Sequence, residues 1–206
     1  MPHSSTPAPN ELLVVATGNA GKLREFRELL AGLPFRIASQ ADLKVAPVAE
    51  TGATFAENAL LKARHAAAIT GMAAIGDDSG LEVDALGGAP GIYSARYAGP
   101  AADDAANNAK LMAELGRRPL AVRTARYRCA LAFVRGPADP APLTAVAAWE
   151  GLLLDAPRGA AGFGYDPYFW LPDLGRTAAE LDITEKNRLS HRGRALLALR
   201  DALGGA

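Results

Sequence analysis

Hydrophobic and polar positions along the chain alternate between strand-like and helix-like spacing. Residues 12–16 form a short apolar run with two adjacent valines, the pattern of a buried strand. Thr17-Gly18-Asn19-Ala20-Gly21 breaks the run, and residues 22–30 take up helical spacing, so the chain opens strand, glycine loop, helix. Thr54-Phe55-Ala56-Glu57 is a capping box, predicting a helix to about Thr70 with Asn58, Lys62 and His65 on one face and Ala59, Ala63 and Ala66 on another. Residues 72–76 read as a strand that Asp77-Asp78-Ser79-Gly80 terminates, and the glycine- and proline-rich stretch 87–99 reads as an ordered loop. Asp103 or Asp104 starts a helix to Leu115, with Gly116 as its stop. Residues 125–134 alternate, with Tyr127, Cys129, Leu131 and Phe133 on one face and Arg126 and Arg128 on the solvated one. A second strand-like run covers 143–151, and the turn chemistry of 136–140 predicts that the two pair antiparallel. The last helix starts near Ser190 and ends before Gly204-Gly205. Interleaved helices and strands with one antiparallel pair predict an α/β or α+β fold with a mixed sheet.

The length of 206 residues suits one large domain or two small lobes sharing a core. The reading is a flexible tail over residues 1–10, with no signal-peptide pattern, and a single domain over 11–206. Lys and Arg (22) balance Asp and Glu (22), so there is no electrostatic case for a nucleic-acid polymer as partner, although local clusters can still hold a small anion. Apolar runs fall far short of the ~20 residues of a membrane span, and a cytoplasmic location is the default expectation. A single cysteine, Cys129, read as a core residue, leaves no intrachain disulfide or cysteine-rich zinc site. Three histidines without a HExxH pattern leave carboxylates to hold any metal, which favours a hard ion such as Mg²⁺. His65 reads as an exposed or half-buried helical side chain.

Five segments can carry chemistry. Residues 17–22 put backbone N–H groups and Lys22 at a positive helix end, a geometry that binds phosphate. The spacing is not that of a Walker A loop, and a plain strand-to-helix turn is the alternative. Asp77 and Asp78 repel unless cations or donors compensate, and adjacent strand residues point to opposite faces; a metal ligand, a base for water and a simple turn all fit. Glu50, Glu57, Asn58 and Lys62 form a third group, in which the capping box already employs Glu57 and the others read singly as solvated. Gly162-Phe163-Gly164-Tyr165-Asp166-Pro167 frees the backbone around a ring able to stack on a nucleobase, against a packed aromatic turn as the alternative. Finally, in residues 186–192 a helix capped by Ser190 places His191 and Arg192 in its positive first turn, a mild electrostatic conflict that points to an anionic or electron-rich partner, against an exposed basic turn as the alternative.

Taken together, ATGNAGK (16–22), ETGATFAENALLKARHAA (50–67), GDDSGLEVDALGGAPGIYSARYAG (76–99), GFGYDP (162–167) and EKNRLSHRG (185–193) resemble the inosine triphosphate pyrophosphatase family. The five blocks stand in the family's order, and the resemblance runs from about Leu12 to the C-terminus. It implies a central mixed sheet flanked by helices, two lobes with an active-site cleft between them, a homodimer and a Mg²⁺ requirement. It also implies hydrolysis of the deaminated purine nucleotides ITP, dITP and XTP to monophosphate and pyrophosphate, clearing them from the nucleotide pool. By the same resemblance, Thr17, Gly18, Asn19, Ala20, Gly21 and Lys22 form the substrate-phosphate loop. Asp78 matches the general base and metal ligand, and Glu50 the second acid near the metal. Ser79 matches a substrate contact, and Lys62 resembles a helix lysine near the phosphates. Phe163, Gly164, Tyr165 and Asp166, with Lys186, His191 and Arg192, match the nucleoside-binding segments. Two positions depart from the pattern: Ala160-Ala161 stands where many members have glycines, and Gly76 where many have alanine. Neither removes a polar group, so unchanged activity is expected.

The chemistry then follows from charge. A nucleoside triphosphate carries about four negative charges, so catalysis is positioning and neutralisation. Lys22, Lys62 and the loop amides would hold the phosphates, and Asp78 would orient or deprotonate the attacking water. Donors such as Lys186, Arg192 or a backbone N–H would read the 6-keto group that adenine lacks. Two rivals are a nucleotide phosphotransferase, opposed by the missing Walker A spacing, and a non-catalytic nucleotide binder, which gains nothing from repelling carboxylates beside a polyphosphate.

Overall fold

A computed structural model describes residues 11–31, 35–116 and 123–204; the expected tail over 1–10 lies outside the described residues. Seven strands form one mixed sheet: β1 (Glu11–Ala16), β2 (Phe35–Ser39), β3 (Ala73–Val83), β4 (Thr124–Val134), β5 (Leu143–Leu153), β6 (Phe169–Leu171) and β7 (Arg176–Thr177). Their order across the sheet is β2-β1-β3-β4-β5-β6-β7. β1 is parallel to both β2 and β3, with Leu13 opposite Ala73 and Ala16 opposite Gly76, whereas β6 is antiparallel to β5 and β7. Five α-helices occur among the described residues: α1 (Ala20–Leu29), α2 (Phe55–Thr70), α3 (Asp104–Gly116), α4 (Ile183–Leu189) and α5 (His191–Gly204). The chain divides into two compact units. One takes the chain up to Asp78, Ala130–Ala147 and everything from Arg192 onward; the other takes Ser79–Cys129 and Ala148–His191.

In the first unit β1 is covered on both faces, which is why it reads as an unbroken apolar run rather than an alternation. α2 starts at the foreseen box: Thr54 accepts from the Glu57 N–H while the Glu57 carboxylate accepts from the Thr54 N–H. It ends at Gly71, whose φ of 72° suits only glycine comfortably. Its alanine stripe (Ala59, Ala63, Ala66, Ala67) packs on Val14, Ala16, Ala74, Ala130, Ala132 and Val134. Small side chains bring helix and sheet close, and Gly76 is the closest point: a Cβ there would run into the Ala59 carbonyl oxygen. This departure from the family pattern is therefore a packing requirement of this chain.

The second unit is built on larger side chains, with Leu81, Val83, Leu111, Leu115, Tyr127, Trp149, Tyr165 and Phe169 in one cluster. Tyr127 and Phe169 pack tilted with centroids 4.6 Å apart. The solvated face foreseen for Arg126 and Arg128 carries ion pairs, Arg126 on Asp84 and Glu150 and Arg128 on Glu82. α3 begins where expected, with Asp103 Oδ1 accepting from the Ala106 N–H.

The expected strand end at Asp77-Asp78-Ser79-Gly80 is not there. β3 runs straight through to Val83. Local turn propensity loses to tertiary partners: both aspartates meet cations, Gly80 has no room for a Cβ beside Gly91 and Ser94, and the Leu81 N–H donates to Ser94 Oγ at 2.8 Å. The loop foreseen over 87–99 folds largely as a 3₁₀ turn, Gly91–Arg96, after a shorter one at Asp84–Leu86.

Candidate active site

Pleating sends Asp77 and Asp78 to opposite faces of β3, and each face supplies a different set of cations. On one face Asp77, 1 % exposed, accepts from Arg192 Nε at 2.9 Å and pairs with Lys22 of α1. Arg192, also 1 % exposed, pairs in addition with Glu25 one turn further along α1. Burial pushes the Asp77 carboxyl up, but Arg192 and then Lys22 outweigh it and hold the group far below the usual carboxylate range. Asp77 is thus permanently charged and ties the first turns of α1 and α5 to the strand.

On the other face, Ala74, Gly76 and Asp78 look at α2. The close approach at Gly76 lets two α2 side chains one turn apart, Asn58 and Lys62, reach Asp78. Lys62 Nζ donates to Asp78 Oδ1 at 2.9 Å and to the Asp77 carbonyl oxygen at 3.1 Å, and it pairs with Glu50 Oε1 at 2.5 Å. Asn58 Nδ2 donates to Asp78 Oδ2 at 3.1 Å, while its Oδ1 accepts from the Gly52 N–H at 2.8 Å. Burial raises the Asp78 carboxyl above its ordinary value, and Lys62 only partly offsets this. Lys62, although buried, is held above its ordinary value by Asp78 and Glu50. Two neighbouring aspartates are thereby driven in opposite directions: Asp77 toward a fixed anion, Asp78 toward a group able to accept a proton nearer neutrality.

Residues 17–22 take the foreseen strand–loop–helix form. Asn19 caps α1 through an acceptor bond from the Lys22 N–H at 3.0 Å, and Thr17 Oγ1 accepts from the Asn19 N–H at 3.2 Å. Gly18, Asn19 and Ala20 are exposed at the helix start, where backbone N–H groups and the helix dipole favour an anion. Glu25, Glu50, Asp77 and Asp78 meet Lys22, Lys62 and Arg192 in one network of ion pairs.

The donor chemistry here suits Mg²⁺. Glu50 and Asp78 already share one cation, the Lys62 ammonium, so both carboxylates reach a common point. Mg²⁺ is commonly held by one or two carboxylates and completed by water and substrate phosphate. No group of three or more His, Cys, Asp or Glu poised for a metal occurs among the described residues.

The second unit holds the aromatic segment. Lys186 Nζ donates to Asp166 Oδ2 at 2.6 Å and lies 4.7 Å from the Phe163 ring centroid; the Phe163 N–H donates to the same Asp166 oxygen at 2.9 Å. Gly162 (φ 77°) has no space for a Cβ against Asp166. Tyr165 OH donates to the Ser94 carbonyl at 2.8 Å, and burial keeps its phenol protonated far into alkali. His191 stacks on Tyr127 at 4.8 Å between ring centroids, with the planes 10° apart. Ser79 is half-buried at the start of this unit's part of β3.

Among the foreseen residues, Thr17 to Lys22, Glu50, Lys62, Asp78 and Arg192 fall in the first unit, and Ser79, Phe163 to Asp166, Lys186 and His191 in the second. Lys22 and Arg192, foreseen as substrate contacts, are both placed on Asp77. The electrostatic conflict at the start of α5 is resolved for Arg192 by two carboxylates rather than by an exposed anion site. Glu25 was missed; its signal was an acid on the apolar face of an amphipathic helix. Asn58 was seen on the Lys62 face, but its bond to Asp78 was not foreseen. His65 packs its ring nitrogen Nε2 2.8 Å from the Ala46 carbonyl oxygen, and Cys129 is buried, both as expected.

A dITP/XTP pyrophosphatase of Xanthomonas campestris pv. campestris is 56% identical over 191 residues, covering 93% of this chain and 96% of the relative. One of Yersinia pseudotuberculosis is 55% identical over 194 residues, covering 94% and 98%. The solved structure of a HAM1 protein from Coxiella burnetii superposes with a TM-score of 0.87 at 46% identity, over 95% of this chain and 100% of that one. The Staphylococcus aureus Ham1 structure gives 0.82 at 39%, over 95% and 99%. The sequence profile of the Ham1 family matches residues 13–202, and the chain belongs to that family.

Proposed function

We propose that the protein hydrolyses deaminated purine nucleoside triphosphates (dITP, XTP and ITP) to the monophosphate and pyrophosphate. The observation that carries this reading is the setting of Asp78, a buried carboxyl raised above its ordinary value and gripped at one oxygen by Asn58 and at the other by Lys62. The relatives named dITP/XTP pyrophosphatase, alike over nearly their whole length, supply the substrate class.

The polyphosphate is assigned to the first unit's cluster. The exposed turn at Gly18 to Ala20 and the Lys22 and Lys62 ammonium groups bind its oxygens. Lys22 can exchange Asp77 for phosphate because Arg192 stays on Asp77. Asp78 orients a water and takes its proton as the water oxygen bonds to the α-phosphorus. The bond from that phosphorus to the bridging oxygen then breaks, and pyrophosphate leaves with the electron pair. Asp78 and Glu50 would hold Mg²⁺, which would supply charge neutralisation for the bound polyanion.

The purine is assigned to the second unit. Phe163 offers a stacking face, and Lys186 or a backbone N–H offers the donor that a 6-keto group satisfies and a 6-amino group does not. A site whose donor answers the 6-keto group discriminates against the 6-amino analogue by up to about 10⁴–10⁵-fold. Arg192, 1 % exposed, serves by positioning Asp77 and α1. A homodimer and a cytoplasmic location belong to the same reading; the former is checked by sedimentation. No described helix is long and apolar enough to cross a membrane. Incubation with ITP, dITP, XTP, ATP and GTP in the presence of Mg²⁺ tests the whole reading. The expected result is pyrophosphate from the first three, with ATP turned over at least a hundredfold more slowly; orthophosphate as product, or equal rates on ATP and ITP, contradicts it.

A further inference from the structure

The aromatic segment bearing Phe163 has little regular structure of its own. Gly159, Gly162 and Gly164 all take positive φ (79°, 77° and 64°), so the segment has much freedom to lose on ordering. Both main-chain groups of Gly164, the residue beside Phe163, are held from α3. The Gly164 N–H donates to Asp104 Oδ2 at 2.6 Å, and the Gly164 carbonyl accepts from Asn108 Nδ2 at 2.9 Å. Asp104 and Asn108 stand four apart, one above the other on the helix face, and Asn108 Nδ2 also donates to the Asp104 carbonyl at 2.8 Å. The two form a rigid two-pronged latch, and what it fixes is the peptide planes that aim the Phe163 ring.

Asn108 keeps this latch at a cost. It is buried, and its Oδ1 has no hydrogen-bond partner among the described residues. An apolar side chain would fill the position without stranding an acceptor, so packing alone does not account for an asparagine there. We infer that Asp104 and Asn108 are positioning residues for purine binding, holding the Phe163–Gly164 platform through the Gly164 main chain. This inference rests on the assignment of the purine to that platform.

Asn108→Asp is nearly isosteric but sets a carboxylate against two carbonyl oxygens. Asp104→Ala removes the other prong at an exposed helix start, where folding is not at stake. Calorimetric titration with dIMP, which carries the base, and with pyrophosphate, which does not, separates purine positioning from general damage. Each variant is expected to bind dIMP about tenfold more weakly, the loss of one hydrogen bond to a glycine-rich loop, with pyrophosphate binding within about twofold of wild type. KM for dITP should rise in step while kcat changes little. Wild-type dIMP affinity in Asp104→Ala overturns the inference even if Asn108→Asp fails to fold, and so does equal weakening toward both ligands. Failure of the wild-type protein to hydrolyse dITP instead overturns the functional reading on which the inference rests.

Discussion

Asp77 and Asp78 are adjacent, chemically identical and buried, yet their surroundings give them opposite linkage to folding. Asp77 has a depressed folded-state value, so its stabilisation is present above about pH 3.8, its ordinary value, and is lost as pH falls below it. Asp77→Asn strands Arg192 and Lys22 and should destabilise by about 3–5 kcal/mol at pH 7; urea unfolding at pH 7 and pH 3 should show the deficit shrinking at the lower pH. Asp78 has a raised folded-state value, so its contribution is present below pH 3.8 and lost as pH rises through the folded value. Asp78→Asn should therefore melt no lower than wild type at pH 7, the two converging below about pH 4, while kcat falls by about 10²–10⁴-fold. Thermal melts paired with turnover read both effects. A drop in Tm as large as that of Asp77→Asn would show that Asp78 is a structural anchor instead.

At the level of elements, what matters is how closely α2 lies on β3. The alanine stripe was plain in the sequence as a helical face, but that Gly76 is its contact point was not, since it depends on the parallel register that sets Gly76 beside Ala16. Gly76→Ala should push α2 outward, costing about 1–3 kcal/mol and carrying Lys62 and Asn58 away from Asp78. Displacements of that kind lower turnover by roughly 10²-fold. Denaturant melts and kcat on dITP check this; a variant with unchanged stability and rate would mean the helix adjusts freely. Elements with strong local signals (β1, α2, β4 and β5) were legible. The end of β3 was misplaced because Asp-Asp-Ser-Gly is turn chemistry until Lys22, Lys62 and Arg192 are in place. β6 and β7 span three and two residues, too short for any period to register.

For the molecule as a whole, the sequence blocks singled out residues but not their partners. Lys22, Asp77, Asp78 and Lys62 each sat in a suggestive motif. The Glu25–Arg192 pair joins positions 167 apart, which no local pattern can show. The pairing of Glu50 and Asp78 on one cation makes a further prediction. Removal of divalent ions by EDTA should abolish turnover, and Mg²⁺ should restore it. Lys22→Met and Lys62→Met should each raise KM for the triphosphate, with titration of Mg²⁺ against initial rate as the check.

The central claim is that water attacks the α-phosphorus at the Asp78 site. Hydrolysis of dITP in ¹⁸O-enriched water with Mg²⁺ present, followed by mass spectrometry of both products, tests it most directly. The label is predicted in dIMP, with unlabelled pyrophosphate released; label in pyrophosphate or in orthophosphate would contradict it.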